Sequence, residues 1–181
     1  MESVPDSGDS STGDLFVHCG SLTIEPGAVV RVEEGAGFVI GADDYEASLL
    51  AEGTVDSPIR FHNGKTLSFG KNGAAGLVAQ GTEAAPITFT SQESNAAGAW
   101  DGVIFYGNVE DEQVILEHVV VENGGAGALD GALHFKDAGG SLDNVEITNS
   151  ETWGLYIEGD SSPTLGEITG EGNAEGLIYQ E

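Results

Sequence analysis

Leu49-Leu-Ala-Glu-Gly-Thr-Val-Asp-Ser-Pro-Ile-Arg-Phe61 returns 28 residues later as Leu77-Val-Ala-Gln-Gly-Thr-Glu-Ala-Ala-Pro-Ile-Thr-Phe89. Gly53, Thr54, Pro58, Ile59 and Phe61 reappear as Gly81, Thr82, Pro86, Ile87 and Phe89. A fixed period of roughly 20–50 residues marks stacked copies of one structural unit, none of which can bury its apolar face alone.

Weaker copies continue towards the C-terminus. Gly102-Val-Ile-Phe, Gly131-Ala-Leu-His-Phe, Gly154-Leu-Tyr-Ile and Gly176-Leu-Ile-Tyr open at glycines 29, 23 and 22 residues apart. Between them, Leu116-Glu-His-Val-Val-Val-Glu-Asn-Gly matches Leu142-Asp-Asn-Val-Glu-Ile-Thr-Asn-Ser, and Leu165-Gly-Glu-Ile-Thr-Gly-Glu-Gly-Asn is a looser third copy. Within each unit the apolar residues alternate: Leu22 and Ile24, Ile59 and Phe61, Ile87 and Phe89, Val119 and Val121, Val145 and Ile147. A period of two predicts strands, and the intervening Gly, Asn, Asp and Ser predict turns. Glycine supplies 28 of 181 residues, about twice the usual share of roughly 7%, which opposes helices throughout. Coaxial stacking of such units pairs like strands in parallel and lines up inward side chains as ladders. Six or seven coils would use the chain from Asp14 to Glu181. Asn123, Asn149 and Asn173 follow strands at similar places. They are expected either to stack as an asparagine ladder or to serve only as turn residues.

Leu22-Thr-Ile-Glu-Pro-Gly-Ala-Val-Val-Arg-Val, then the two Gly-Thr…Pro-Ile-x-Phe copies, then Trp100-Asp-Gly-Val-Ile-Phe form an ordered set of motifs. This set resembles the right-handed parallel β-helix domains of bacterial secreted and cell-surface proteins, over about residues 15–181. The resemblance implies an all-β solenoid and an extracellular or cell-surface setting. Domains of this pattern include many non-catalytic surface proteins, while other parallel β-helices act on acidic polysaccharides. Fold alone therefore does not choose an activity.

Composition narrows the partners. One domain is expected at residues 14–181 behind a flexible, polar leader at residues 1–13. No secretory signal and no apolar stretch long enough to span a bilayer is read in the sequence, so membrane insertion is not expected. The net charge is −26, from 31 acids against five bases. Nucleic acid and anionic membrane surfaces both need clustered Lys and Arg, and neither is expected as a partner. The acidity is accounted for by solubility of an edge-bearing β protein, by a high-salt habitat, or by calcium binding. Cys19 is the only cysteine, and is read as a small buried hydrophobe.

Candidate sites are few. Gly124-Gly-Ala-Gly-Ala-Leu-Asp130 nearly matches a calcium-binding glycine-rich nonapeptide, but it occurs once and its aspartate is one residue late, so it reads as a turn. Asp43-Asp44 with Glu46, and Glu110-Asp-Glu112, offer oxygens to a hard cation without the spacing of an ion loop, and read as solvated turns. No cofactor is expected, calcium being the one kept open. Stacking would bring Asp101 near Asp130 and His118 near Asn144, the kind of convergence glycoside chemistry needs. Bases to hold an acidic sugar are scattered: Arg31, Arg60, Lys65, Lys71 and Lys136. Thr88-Phe-Thr90 is the sole Thr-x-Thr, too little for an ice-binding face.

The resemblance puts Val103 and Phe105 inward, which turns Ile104 outward. The same phase turns His134, Tyr156 and Ile178 outward in the following units. On so acidic a chain the column Ile104, His134, Tyr156, Ile178, extended by Trp100 and Trp153, is a candidate contact face. Its alternative is a sheet covered by a loop or buried on both faces. The open ends of the stack would expose unpaired strand edges, which invites end-to-end self-association. The expected role is a non-catalytic extracellular or cell-surface scaffold, structural or adhesive, that binds a protein partner or itself. The runner-up is a carbohydrate-active enzyme or carbohydrate-binding module with a polysaccharide partner.

Overall fold

The computed structural model describes residues 15–26, 28–31, 38–41, 46–52, 60–63, 65–91 and 94–181. The expected leader and Asp14 lie outside them, as do Asp43, Asp44 and the Gly53–Ile59 half of the first repeat phrase. Strands run through the described residues: β1 (Leu15–Val17), β2 (Gly20–Ile24), β3 (Val29–Arg31), β4 (Phe38–Ile40), β5 (Ala47–Glu52), β6 (Arg60–Asn63), β7 (Thr66–Phe69), β8 (Ala75–Gln80) and β9 (Ile87–Ser91). They continue as β10 (Gly102–Tyr106), β11 (Val109–Glu122), β12 (Gly131–Lys136), β13 (Ser141–Thr148), β14 (Trp153–Glu158), β15 (Thr164–Leu165), β16 (Ile168–Thr169) and β17 (Gly176–Gln180). Among the described residues the protein is all-β, without helix.

The strands form two parallel sheets. One has seven strands in the order β1-β4-β7-β10-β12-β14-β17. The other has the order β2-β5-β8-β11-β9-β6-β3, and β13 carries it on from β11 to β15 and β16. Every partner is thus the counterpart one repeat away, an arrangement compatible with a β-solenoid and different from a closed barrel. The repeated phrase decides the register: Leu49 faces Leu77, Ala51 faces Ala79, and Phe61 faces Phe89.

The second sheet is bent. β11 pairs with β8 as far as Glu117 and with β9 from Val119. Between these halves His118 sits at φ 48°, and Asn144 at φ 52° makes the same corner in β13. Another corner follows the seven-stranded sheet, where Gly41, Gly70, Asp137 and Gly159 all have φ between 56° and 77°. This left-handed region costs little for Gly and is tolerated by Asx residues, which explains the residue types at these turns.

Alternation does the packing. Ile40, Phe69, Phe105, Phe135 and Ile157 form one inward column and are all buried. Phe69 stacks on Phe105 at 5.2 Å and Phe105 on Phe135 at 4.8 Å between ring centroids. Parallel strands lie about 4.8 Å apart, so the sheet itself sets the stacking distance. Leu49, Leu77 and Val114 face these rings' sheet from the other one, within a single hydrophobic core.

Candidate functional site

The outward residues of the seven-stranded sheet make a second column. Strand register places Val39, Ser68, Ile104, His134, Tyr156 and Tyr179 in line. The residue in β17 is Tyr179. The expected Ile178 instead faces Leu155 and continues the inward column. Gly176 pairs with Trp153, not with Gly154, just as Gly131 does on the other edge of β14, so the outward ring stands three positions after the glycine in both β12 and β17. The indole lies over Gly176, where a Cβ would come within 2.6 Å of Trp153 Cζ3.

The column changes character along its length. Ile104 and His134 are 2% and 3% exposed, so this part of the outer face is covered. It opens at Tyr156 and Trp153, which are half-buried, and at Tyr179, 36% exposed. The rings touch in sequence: His134 meets Tyr156 edge-on at 5.0 Å, Tyr156 stacks on Tyr179 at 4.8 Å, and Trp153 leans on Tyr179 at 5.3 Å. Trp100 is not part of this patch. It is 2% exposed within the hydrophobic core, and its indole N–H donates to the Glu122 carbonyl at 2.8 Å. A buried Trp needs such an acceptor for its one donor, and the strand end at Glu122 supplies it.

Charge surrounds the rings. Lys136 Nζ lies 2.7 Å from Glu158 Oε1, and His134 Nε2 lies 3.5 Å from the same oxygen. The hydrogen bond from Lys136 holds the Glu158 carboxyl below its usual range, and the same contact raises Lys136. Burial pushes His134 down, against the pull of Glu158 and Asp130. Neither ring nitrogen of His134 completes a hydrogen bond. Such a group costs about 1–3 kcal/mol when buried. Desolvation raises the Tyr156 phenol, and Asp130, Tyr179, Glu158 and Glu181 push it the same way.

The asparagines are placed by the bend that follows β11 and β13. Asn123 (φ 64°) and Asn149 (φ 56°) are successive rungs, and Asn149 Nδ2 donates to Asn123 Oδ1 at 2.7 Å. Asn123 Nδ2 extends the line to Thr90 Oγ1 at 3.2 Å, and Asn149 Nδ2 also reaches the Asn95 carbonyl. Asn173 is not the third rung. Gly172, at φ 75°, stands against Asn149 and takes the left-handed position. Asn173 instead donates to the Ile147 carbonyl and accepts from the Ser150 amide.

A second concavity lies at the bend of the other sheet. This groove of about 270 Å³ is lined by Thr82, Glu83, Pro86, His118, Val119, Val120, Asn144, Glu146, Glu167 and Thr169. It brings His118 beside Asn144. Asp101 is engaged elsewhere, accepting from the Thr66 hydroxyl at 2.8 Å. Asp111 accepts from the Gly139 amide. Among the described residues no three His, Cys, Asp or Glu side chains converge to hold a metal ion. Cys19 is exposed, where a buried position was expected, because it lies in the turn between β1 and β2 rather than on an inward strand position. The chain matches no family model, no curated protein and no solved structure.

Proposed function

We propose that this chain is a right-handed parallel β-helix of six to seven coils that works as a non-catalytic extracellular or cell-surface scaffold. The handedness rests on the strong preference for right-handed crossovers between parallel strands of one sheet. The coil count rests on the order of the seven-stranded sheet, which advances by one repeat per strand. The observation that supports this role is the outer face: the rings of Trp153, Tyr156 and Tyr179 touch one another and reach the surface there, and this reading takes them as its contact surface. Aromatic residues supply large contact area at low entropic cost, which suits adhesion or protein binding. An exported setting is part of this proposal and follows from the resemblance of the repeat motifs.

A carbohydrate-active or carbohydrate-binding role is the second reading. It draws on the groove with Glu83, Glu146 and Glu167 beside His118. Incubation with a panel of neutral and acidic polysaccharides, with and without Ca²⁺, separates the two. The scaffold reading expects neither new chain ends nor retention on the polysaccharide. Turnover would replace it with an enzyme, and retention without turnover would replace it with a carbohydrate-binding module.

A further inference from the structure

Asn-Gly occurs three times in the chain, at Asn63, Asn72 and Asn123. In this dipeptide no Cβ on the second residue hinders the approach of its main-chain nitrogen to the asparagine side chain. Gly64 lies outside the described residues, so the structure sets Asn72 against Asn123.

Asn123 is locked. It is buried at φ 64°. Its Oδ1 accepts from Asn149 at 2.7 Å, and its Nδ2 donates to Thr90 Oγ1 at 3.2 Å. Its main-chain amide donates to the Thr148 carbonyl, and its carbonyl accepts from the Ala99 amide. Gly124 is buried as well, with its carbonyl taken by the amides of Gly98 and Glu151. Asn72 is the opposite case. It is exposed in the turn that joins β7 to β8. Neither its side chain nor the Gly73 amide makes a hydrogen bond among the described residues.

We propose that Asn72 is a site of spontaneous deamidation, which the fold selects over Asn123. The Gly73 main-chain nitrogen loses its proton and attacks Asn72 Cγ. The N–Cγ bond forms, the Cγ–Nδ2 bond breaks, and Nδ2 leaves as ammonia with the proton that Gly73 gave up. Water then opens the five-membered succinimide at one carbonyl or the other, which leaves aspartate or isoaspartate at position 72. Water is the sole co-reactant. Nothing in this step depends on the scaffold reading.

The stack makes the change matter. The turn is tied to its neighbours on both sides: the Gly70 amide donates to the Ile40 carbonyl at 3.1 Å, the Ala74 carbonyl accepts from Ala47 at 3.0 Å, and the Ala75 amide donates to Asn108 at 3.3 Å. It also packs closely on the preceding coil, since a Cβ on Gly41 would lie 2.8 Å from the Gly73 carbonyl oxygen and 2.7 Å from that of Ala74. Isoaspartate adds one carbon to the main chain between these anchors. It therefore strains the rung in which Ala75 faces Ala47. Both products also add a carboxylate to a chain whose net charge is already −26.

Ageing the full chain in mildly alkaline buffer, followed by digestion and mass spectrometry of the peptides, tests this. The peptide that contains Asn72 is expected to gain the mass of an NH₂-to-OH exchange, at a rate proportional to hydroxide. Asn123 should convert at least about tenfold more slowly, because its two side-chain hydrogen bonds must open first. In concentrated urea the two sites should convert at similar rates. Asn72→Gln, whose longer side chain closes a less favourable ring, is expected to keep its mass at that position. The isoaspartate fraction, separated by charge and identified by fragmentation, should unfold at a lower urea concentration than the parent. An Asn72 peptide that keeps its mass in the folded chain while it converts in urea overturns the proposal. So does an Asn123 that keeps pace with Asn72 in the folded chain, or a ratio of the two rates that urea leaves unchanged.

Discussion

The same strands carry two aromatic columns, one on each side of the seven-stranded sheet. Inside, Phe69, Phe105 and Phe135 stack at 5.2 and 4.8 Å; outside, His134, Tyr156 and Tyr179 follow one another at 5.0 and 4.8 Å. The spacing is common because both columns inherit the strand separation. Their surroundings differ: hydrocarbon against the phenylalanines, carboxylates and an ammonium against the outer rings. Geometry alone therefore does not decide whether a ring is sealed in the core or set among charges. The side of the pleat decides, and what lies beyond it.

Substitutions sharpen this contrast in order of size. Phe105→Ala opens a cavity between two stacked rings and should cost about 3–5 kcal/mol by urea denaturation. A loss below 1 kcal/mol would mean the inner column is not the core. Asn149→Ala removes the bond to Asn123 and places alanine at φ 56°, so a loss of about 1–3 kcal/mol is expected. Asn173→Ala loses the bonds to the Ile147 carbonyl and the Ser150 amide but puts no alanine at positive φ, so its cost should fall at the lower end of that range. Lys136→Met breaks the outer ion pair at a lysine side chain that is 49% exposed, and the loss should stay below about 1 kcal/mol.

The outer column also titrates, and the inner one does not. Burial lowers the His134 pKa below 6.5 in the folded chain. The unfolded chain then binds the proton more readily, so the stability tied to neutral His134 is complete above pH 6.5. It is lost as the pH falls from there through the folded pKa. Glu158 and Asp130, which favour the imidazolium, and Lys136, which opposes it, set how far that window extends. His134→Phe should flatten the stability profile between about pH 7 and 5 relative to the wild type. Parallel profiles for the two proteins would show that His134 is not held neutral.

Much of the frame was legible in the chain. The Leu49–Phe61 and Leu77–Phe89 phrases show which residues face each other, because a repeat in register must stack like on like. Val103 and Phe105, which the resemblance puts inward, lie in the core, and so do Leu133 and Phe135 in the next unit. Alternation fails at Gly176-Leu-Ile-Tyr, where successive apolar residues give no phase and Gly176 pairs with Trp153 rather than with Gly154. It fails again at Gly172-Asn173, since either residue suits a left-handed corner and glycine takes it. For the column of Ile104 and His134 the chain leaves an exposed face and a covered one equally open, and the structure shows these two covered. Alternation tells which side of a sheet a residue occupies, not whether that side is covered.

Between Gln80 and Ile87 the chain leaves its sheet, turns through Thr82 and Ala85, and returns. One repeat later β11 covers the same distance without leaving. Both routes keep Leu77 opposite Val114 and Phe89 opposite Val121. The Thr82–Ala85 turn closes on itself by backbone bonds, with Ala85 buried and Glu83 and Ala84 exposed at its tip, so a graft between Glu83 and Ala84 is expected to be displayed from a fixed mount without re-registering any rung. The molecule behaves as a rack whose shelves can be refitted one at a time.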